Sequence, residues 1–414
     1  MAVTDMPTTG LTGRWIHRET HRHWLAAEGL DLLEFYRASC LADGGFGALD
    51  VNRELASSIA DTLITARMTH CYALATLQGV PGASTLAHHG VVALTGLLRD
   101  PEHDGWFATA PHDGFDDSKQ CYIQVFVVLG AASATRAGIE GARELLDDAL
   151  AVLDRYFWSA DEQAYVESWS RDWSELADYR GANANMHATE MCLELADVLD
   201  DHAWRRRALA IVERLIHGVA SNHDWRVVEH FDGRWQILPD YNADKPDDGF
   251  KPFGATPGHG CEWARLLLHL EAGLGAEAPD WLVDDAVHLF DKAMTEGWEG
   301  DDRPGMLYTV DWNGEPSSTR RRHWTHAEAA AAAAALADRT GEARFEAWYR
   351  RVWDFMRDVY VDDERGSWLQ ELNGELGPDP VEGHLKADLY HAYQATLLPR
   401  LPLAPTLALA VEGL

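Results

Sequence analysis

The sequence predicts an all-α fold built from repeated helix pairs. Three observations lead there. Apolar residues recur at three- and four-residue spacing through long stretches of the 414-residue chain. Between these stretches lie short aromatic segments with glycine turns, and about 60 residues separate Gly45 in the first from Gly105 in the second, a period typical of repeat architectures. No Gly/Ser-rich or Pro-rich tract divides the chain, so a single domain over residues 1–414 is expected, with residues 1–12 a flexible tail. About a dozen helices in six pairs either close into a two-layered α/α toroid or stack as an open solenoid, and the period favours neither.

Residues 55–77, 119–134, 141–156, 186–199, 202–220 and 281–295 carry the helical spacing in turn. Residues 326–340 are almost pure alanine, whose propensity and small side chain suit closely packed helices. His326 and Glu328 open that stretch and Asp338 and Arg339 close it, which argues against membrane insertion. Strand-like excursions fall between helices at residues 43–49, 104–109, 164–169, 226–230, 305–310 and 366–371. Asp232-Gly233, Asn313-Gly314 and Asn373-Gly374 supply turns to several of them. If all excursions lie at one end, segments far apart in sequence rim one cavity. Tryptophans there would offer flat faces to sugar C–H surfaces. Their alternative role is to fill gaps between helix layers.

Composition narrows the function. Lys and Arg total 35 against 67 Asp and Glu, a formal charge of -32. That field disfavours nucleic acid and anionic membranes, although a local arginine can still hold a small anion. The N-terminal residues do not read as a secretion signal, and no run of about 18 apolar residues suggests a membrane span. Cys40, Cys71, Cys121, Cys192 and Cys261 are odd in number, widely spaced and without a CxxC pair. Reduced, mostly buried thiols in a cytoplasmic protein are expected.

Four polar clusters interrupt the apolar pattern. Asn183, His187 and Glu190 share one face of a helix that Asn183 or Asn185 could cap. His259 and Glu262 lie three apart after the Pro257-Gly258 turn, and Glu262 could instead be a capping partner. Asp388 and His391 open another apolar helix. Arg67 lies within an apolar helix, where an unpaired guanidinium is costly, so a carboxylate or a polar cavity must receive it. Each cluster taken singly has an equally good structural explanation. The His/Glu pairs are conceivable metal donors, but there is no HExxH and no cysteine pair, and no metal is expected. A glycosidase would need two opposed carboxylates and would leave the histidines surplus. No GxGxxG follows a strand, and there is no P-loop.

Taken together, the clusters resemble the N-acylglucosamine 2-epimerase superfamily, and within it the aldose–ketose isomerase branch that acts on mannose or sulfoquinovose. The resemblance is carried by Trp24-Leu-Ala-Ala-Glu28, Gly44-Gly-Phe-Gly47, Ile64-Thr-Ala-Arg-Met68, Gly181-Ala-Asn-Ala-Asn-Met-His187, Leu238-Pro-Asp-Tyr-Asn242, Thr256-Pro-Gly-His259 with Glu262-Trp263, Asp388-Leu-Tyr-His391 and the segment from Pro399 to Pro405. It implies an (α/α)6 barrel, favouring the toroid, with short β-hairpin-like excursions at the active-site end and no metal or redox cofactor. It matches Arg67, His187, His259, Glu262 and His391 as catalytic residues, with Asn183, Asn185, Trp324, Gln370 and Asp388 expected to bind substrate.

The expected chemistry moves a proton from C2 to C1 through a cis-enediol and exchanges one between O2 and O1, work suited to histidine. His391 is expected to carry the carbon proton and His187 to serve the oxygens, the reverse division remaining open. Arg67 would steady negative charge, and His259 with Glu262 would open the sugar ring. Ala387 stands where the sulfosugar enzymes have a glutamine, which favours D-mannose/D-fructose, with D-lyxose/D-xylulose alongside. The direction of Lys386 is not readable. A sulfosugar isomerase, a sugar 2-epimerase and a non-catalytic sugar-binding barrel are the alternatives. The expected partner is a monosaccharide, with no nucleic acid or membrane. Self-association stays open, since relatives include monomers, dimers and larger assemblies.

Overall fold

The computed structural model describes residues 13–300, 302–380 and 383–414. The tail expected at residues 1–12 lies outside them. Thirteen α-helices occur among the described residues: α1 Glu19–Tyr36, α2 Thr62–Leu77, α3 Ala83–Thr95, α4 Cys121–Arg136, α5 Ala142–Val152, α6 Ala182–Val198, α7 Ala203–Val212, α8 Pro257–Leu274, α9 Trp281–Gly297, α10 His323–Thr340, α11 Ala343–Val359, α12 Leu389–Leu397 and α13 Leu407–Ala410.

Local chemistry sets where they start and stop. The Asp61 carboxylate accepts the Ile64 N–H at 2.8 Å and caps α2. The helix expected from residue 55 therefore begins at Thr62, and Leu55 instead bridges Leu49 in a rim excursion. α8 opens on Pro257, whose fixed φ suits a first helical position. α10 stops at Gly341, where φ is 78°. Neither Asn183 nor Asn185 caps α6, since its N-cap residue is Gly181.

Burial sorts the helices into two layers. Outer helices are one-sided: α11 buries Phe345, Trp348, Tyr349, Val352, Trp353 and Met356, at helical spacing. Inner helices are covered all round, and on α10 every residue from Ala329 to Leu336 is buried. Alanine's small side chain lets that helix pack closely against its neighbours. The inner ring runs α2, α4, α6, α8, α10, α12, and α12 packs against α2 again. The closure of this ring decides for the toroid over the solenoid.

The approach to each inner helix is tied to a neighbouring excursion. The links are Asp61↔Thr109, Lys119↔Trp169, Arg180↔Phe231, Ala255↔Val310, Arg321↔Leu372 and, closing the circle, Leu49↔Lys386. All six inner helices therefore start at one rim and point their N-terminal dipole ends at the same space. α13 packs against α2, α4 and α6. No helix among the described residues is long and apolar enough to cross a membrane.

Candidate active site

A chamber of about 280 Å³ opens among these helix starts. Every expected site residue except Asn185 lines it: Arg67 from α2, Asn183 and His187 from α6, His259 and Glu262 from α8, Trp324 from α10, Gln370 from an excursion, Asp388 capping α12 and His391 within it. Most are placed by one rule, since the first two turns of an inner helix face the chamber.

Three histidines share an arrangement. His259 Nδ1 lies 2.8 Å from Glu229 Oε1, His391 Nδ1 lies 2.5 Å from Asp388 Oδ2, and His187 Nδ1 lies 3.4 Å from Glu190 Oε2 and 3.6 Å from Glu262 Oε1. A carboxylate on Nδ1 fixes the ring and its tautomer, leaving Nε2 as the atom free for a ligand. The Trp324 indole lies 5.1 Å from the His259 ring and 5.7 Å from the His391 ring, spanning the two. Burial pulls His187 down to about 3, so its imidazole is neutral near pH 7 and able to accept a proton.

The charges are paired but unequal. Arg67 donates to the Tyr122 hydroxyl at 2.9 Å, lies 3.9 Å from Asp388, and sits over the Phe126 and Tyr390 rings. Burial opposes its charge, but Tyr122, Asp388, Tyr390 and Glu262 hold it cationic. Burial likewise opposes ionisation of Asp388 and Glu190. His391 and Arg67 nevertheless hold Asp388 far below the carboxylate range, and His187 and Arg265 do the same for Glu190. Glu262 is the exception. It is fully buried, neither carboxyl oxygen has a hydrogen-bond partner, and burial followed by the nearby Glu328 carboxylate pushes it well upward. This shift favours the acid form of Glu262, which would put a proton donor beside the chamber.

Arg265 lies behind Glu262. Its Nε donates to Glu328 at 2.8 Å, and it stands 3.8 Å from Glu190 and 3.9 Å from Glu262. Among the described residues, two groups place metal-type donor atoms within 4.8 Å of one another: His187, Glu190 and Glu262, and Glu262, Glu328 and His391. The Arg265 guanidinium already supplies a fixed positive charge to three of these carboxylates.

The substrate-binding expectation for Asn185 is corrected. Its carbonyl accepts from Tyr165 N at 2.8 Å, and its amide donates to Tyr165 O and Gly181 O at 3.0 Å each. Two positions past Asn183 on α6, it faces the hairpin outside the chamber and locks that hairpin to the helix. Sequence reasoning missed Tyr122, Tyr308, Arg322, His323 and Glu371, which line the chamber, and Glu229, which holds His259. The helix-start rule would have flagged Tyr122 and His323. Glu229 shows only as an acid beside a strand-like segment.

Three cations near the chamber have carboxylate partners. Arg322 lies 3.1 Å from Glu371, and Arg320 donates to Glu371 at 2.8 Å. Lys386 is fully buried and turns from the chamber to Asp362, at 2.9 Å. Ala387 is part of the chamber wall.

A closed α/α barrel whose inner helix starts converge on an acid–base chamber is the class of protein defined here. Comparison with known proteins narrows it. Residues 44–395 match the N-acylglucosamine 2-epimerase (GlcNAc 2-epimerase) family. The chain is 52% identical over 403 residues to a D-mannose isomerase of Pseudomonas cannabina pv. alisalensis, covering 97% of each chain. It is 48% identical to a D-mannose isomerase of Thermobifida fusca, covering 95% of this chain and 98% of that one. A crystal structure of a D-mannose isomerase superposes with a TM-score of 0.85 at 26% identity, over 91% of this chain and 97% of that one. The chain belongs to the N-acylglucosamine 2-epimerase family and is an isomerase.

Proposed function

We propose that the protein is an aldose–ketose isomerase interconverting D-mannose and D-fructose, and D-lyxose and D-xylulose alongside, through a cis-enediol and without a metal. The observation that carries the reading is the set of three histidines, each with Nδ1 held by a carboxylate, around one chamber that also holds Arg67 and Glu262. The two relatives near 50% identity, both D-mannose isomerases, support the substrate.

Closed pyranose enters, and Glu262 or His259 protonates the ring oxygen while the anomeric hydroxyl loses its proton. Trp324, between the two histidines, offers the sugar a flat face. His391 takes the C2 proton and returns it to C1. Neutral His187 moves the proton between O2 and O1. Arg67, with the inner-helix N-termini, stabilises negative charge on the enediol oxygens. One hydrogen moves from C2 to C1 and one proton from O2 to O1, so neither oxidant nor reductant is consumed. Asn183 and Gln370 bind the sugar hydroxyls.

The paired cations favour a neutral hexose over a sulfonate. Arg322 and Lys386 each have a carboxylate partner, and Ala387 brings no donor. A proton NMR time course with EDTA-treated protein in D2O tests this, with D-mannose in one tube and sulfoquinovose in another. Fructose from mannose without added metal is the expected result. Turnover in the sulfosugar tube alone would overturn the substrate assignment, and early glucose matching fructose would favour a 2-epimerase.

A further inference from the structure

α6 and α12 stand opposite each other in the closed inner ring, yet their side chains meet across the barrel axis. The Tyr390 hydroxyl, from α12, donates to Glu190 Oε2, from α6, 200 positions away in the chain. Both residues are buried, and neither lines the catalytic chamber. Burial holds the Tyr390 hydroxyl well above its ordinary range, so its hydrogen stays in place to donate.

The surroundings of Glu190 show what this contact does. Glu190 Oε2 also stands 3.4 Å from His187 Nδ1, so one carboxylate oxygen serves both the tyrosine and the histidine. The other oxygen is reached by the Gln394 amide at 3.5 Å and lies 3.8 Å from Arg265. His187 has a rival partner, since Glu262 Oε1 stands 3.6 Å from the same Nδ1. The two carboxylates have different work. Ionised Glu190 can steady the imidazole as Nε2 gains a proton, whereas Glu262 lines the chamber and must stay free to serve the sugar. Fixing Glu190 decides which of them His187 meets.

Tyr390 is joined to the opposite side of the chamber as well. It immediately precedes His391 in α12, and successive helical side chains diverge by about 100°. His391 therefore reaches the chamber while Tyr390 turns to Glu190. The centre of the Tyr390 ring lies 4.7 Å from the Arg67 guanidinium carbon and 4.9 Å from the centre of the His391 ring.

We propose that Tyr390 is a positioning residue for proton transfer by His187. Through Glu190 it sets His187 Nε2 towards the substrate, and it ties that histidine to the helix start that carries His391. This rests on the isomerase reading of the chamber. Tyr390 lies outside the chamber wall, so its hydroxyl matters to the rate and not to sugar binding.

Tyr390→Phe removes the hydroxyl and keeps the ring beside Arg67. With D-mannose in D2O it should lower kcat about tenfold or more and change KM about twofold or less. Its pattern of deuterium exchange should match that of His187→Gln, whichever proton that histidine moves. In a His187→Gln background the same change should cost about twofold or less, since a residue acting through His187 has nothing left to position. Glu190→Gln keeps the shape but loses the charge, and should show the same pattern independently. Tyr393→Phe is the control. It removes another hydroxyl from α12, one that accepts from Gln78 at 2.6 Å, and should leave kcat near wild type. An unchanged kcat in Tyr390→Phe, a full tenfold loss on top of His187→Gln, or an equal loss in Tyr393→Phe would each overturn the proposal. Absence of mannose turnover in wild type would sink the isomerase reading itself.

Discussion

Glu229 Oε1 lies 2.8 Å from His259 Nδ1, and both residues are buried though 30 positions apart in the chain. The carboxylate orients the imidazole and stabilises it once protonated. Glu229→Gln keeps the shape but loses the charge. It is expected to lower kcat about 10- to 100-fold with KM little changed, because the interaction matters most when His259 gains a proton. Steady-state rates on D-mannose check this. An unchanged kcat would reduce Glu229 to a packing residue.

His391→Gln and His187→Gln should each lower isomerisation by a factor of about 100 or more, the scale of a lost acid–base group. The two should differ in isotope exchange. If His391 carries the carbon proton, its variant also stops deuterium entering C1 of fructose and C2 of mannose. His187→Gln should slow turnover while leaving residual C–H exchange. The opposite pattern would exchange the two roles.

Asn185→Ala is expected to destabilise the fold by about 2 kcal/mol, since the hairpin groups it satisfies are left buried without partners. The remaining folded enzyme should keep its KM for mannose. Thermal melts read beside KM separate this from a binding role, which would raise KM with little change in Tm.

Acid should unfold the protein through its buried histidines. Burial lowers His21, His70, His269 and His323 to about 4, and His187 and His326 to about 3. The unfolded chain takes up these protons near 6.5 and the folded chain resists them. Stability present above pH 6.5 is therefore lost as pH falls towards 4. Glu194, raised by burial to about 7, works the other way, since its contribution is largest below its unfolded value and shrinks as pH rises. Glu28, Glu262 and Glu371 are raised by burial in the same sense, and six histidines set against these acids should make Tm fall between pH 6.5 and 4. A flat Tm across that window would contradict the buried-neutral assignment.

Turnover should fall on the alkaline side as Glu262 loses its proton. Burial and Glu328 raise that carboxyl well above its ordinary value, which favours its acid form. Glu262→Gln keeps a donor without a titrating proton. It should lower kcat about 100-fold and remove the alkaline limb of the pH profile. An alkaline limb surviving unchanged in this variant would assign the titration to another group.

The sequence by itself determined the helices, their pairing and the chemical types at the site. Helical spacing records which face of each segment is buried, and the alanine run at residues 326–340 already marks a closely packed helix. His187 with Glu190 and His391 with Asp388 were legible because one helical turn brings residues three apart together. Only the tertiary structure decided the rest. It closed α12 onto α2, paired His259 with Glu229 from another segment, and set Arg265 between Glu190, Glu262 and Glu328 from three inner helices. It also turned Asn185 to the hairpin and Asn183 to the chamber, although both sit in one short motif. Periodicity describes a helix's own faces, whereas which neighbour each face meets depends on ring closure and on packing across long sequence separations.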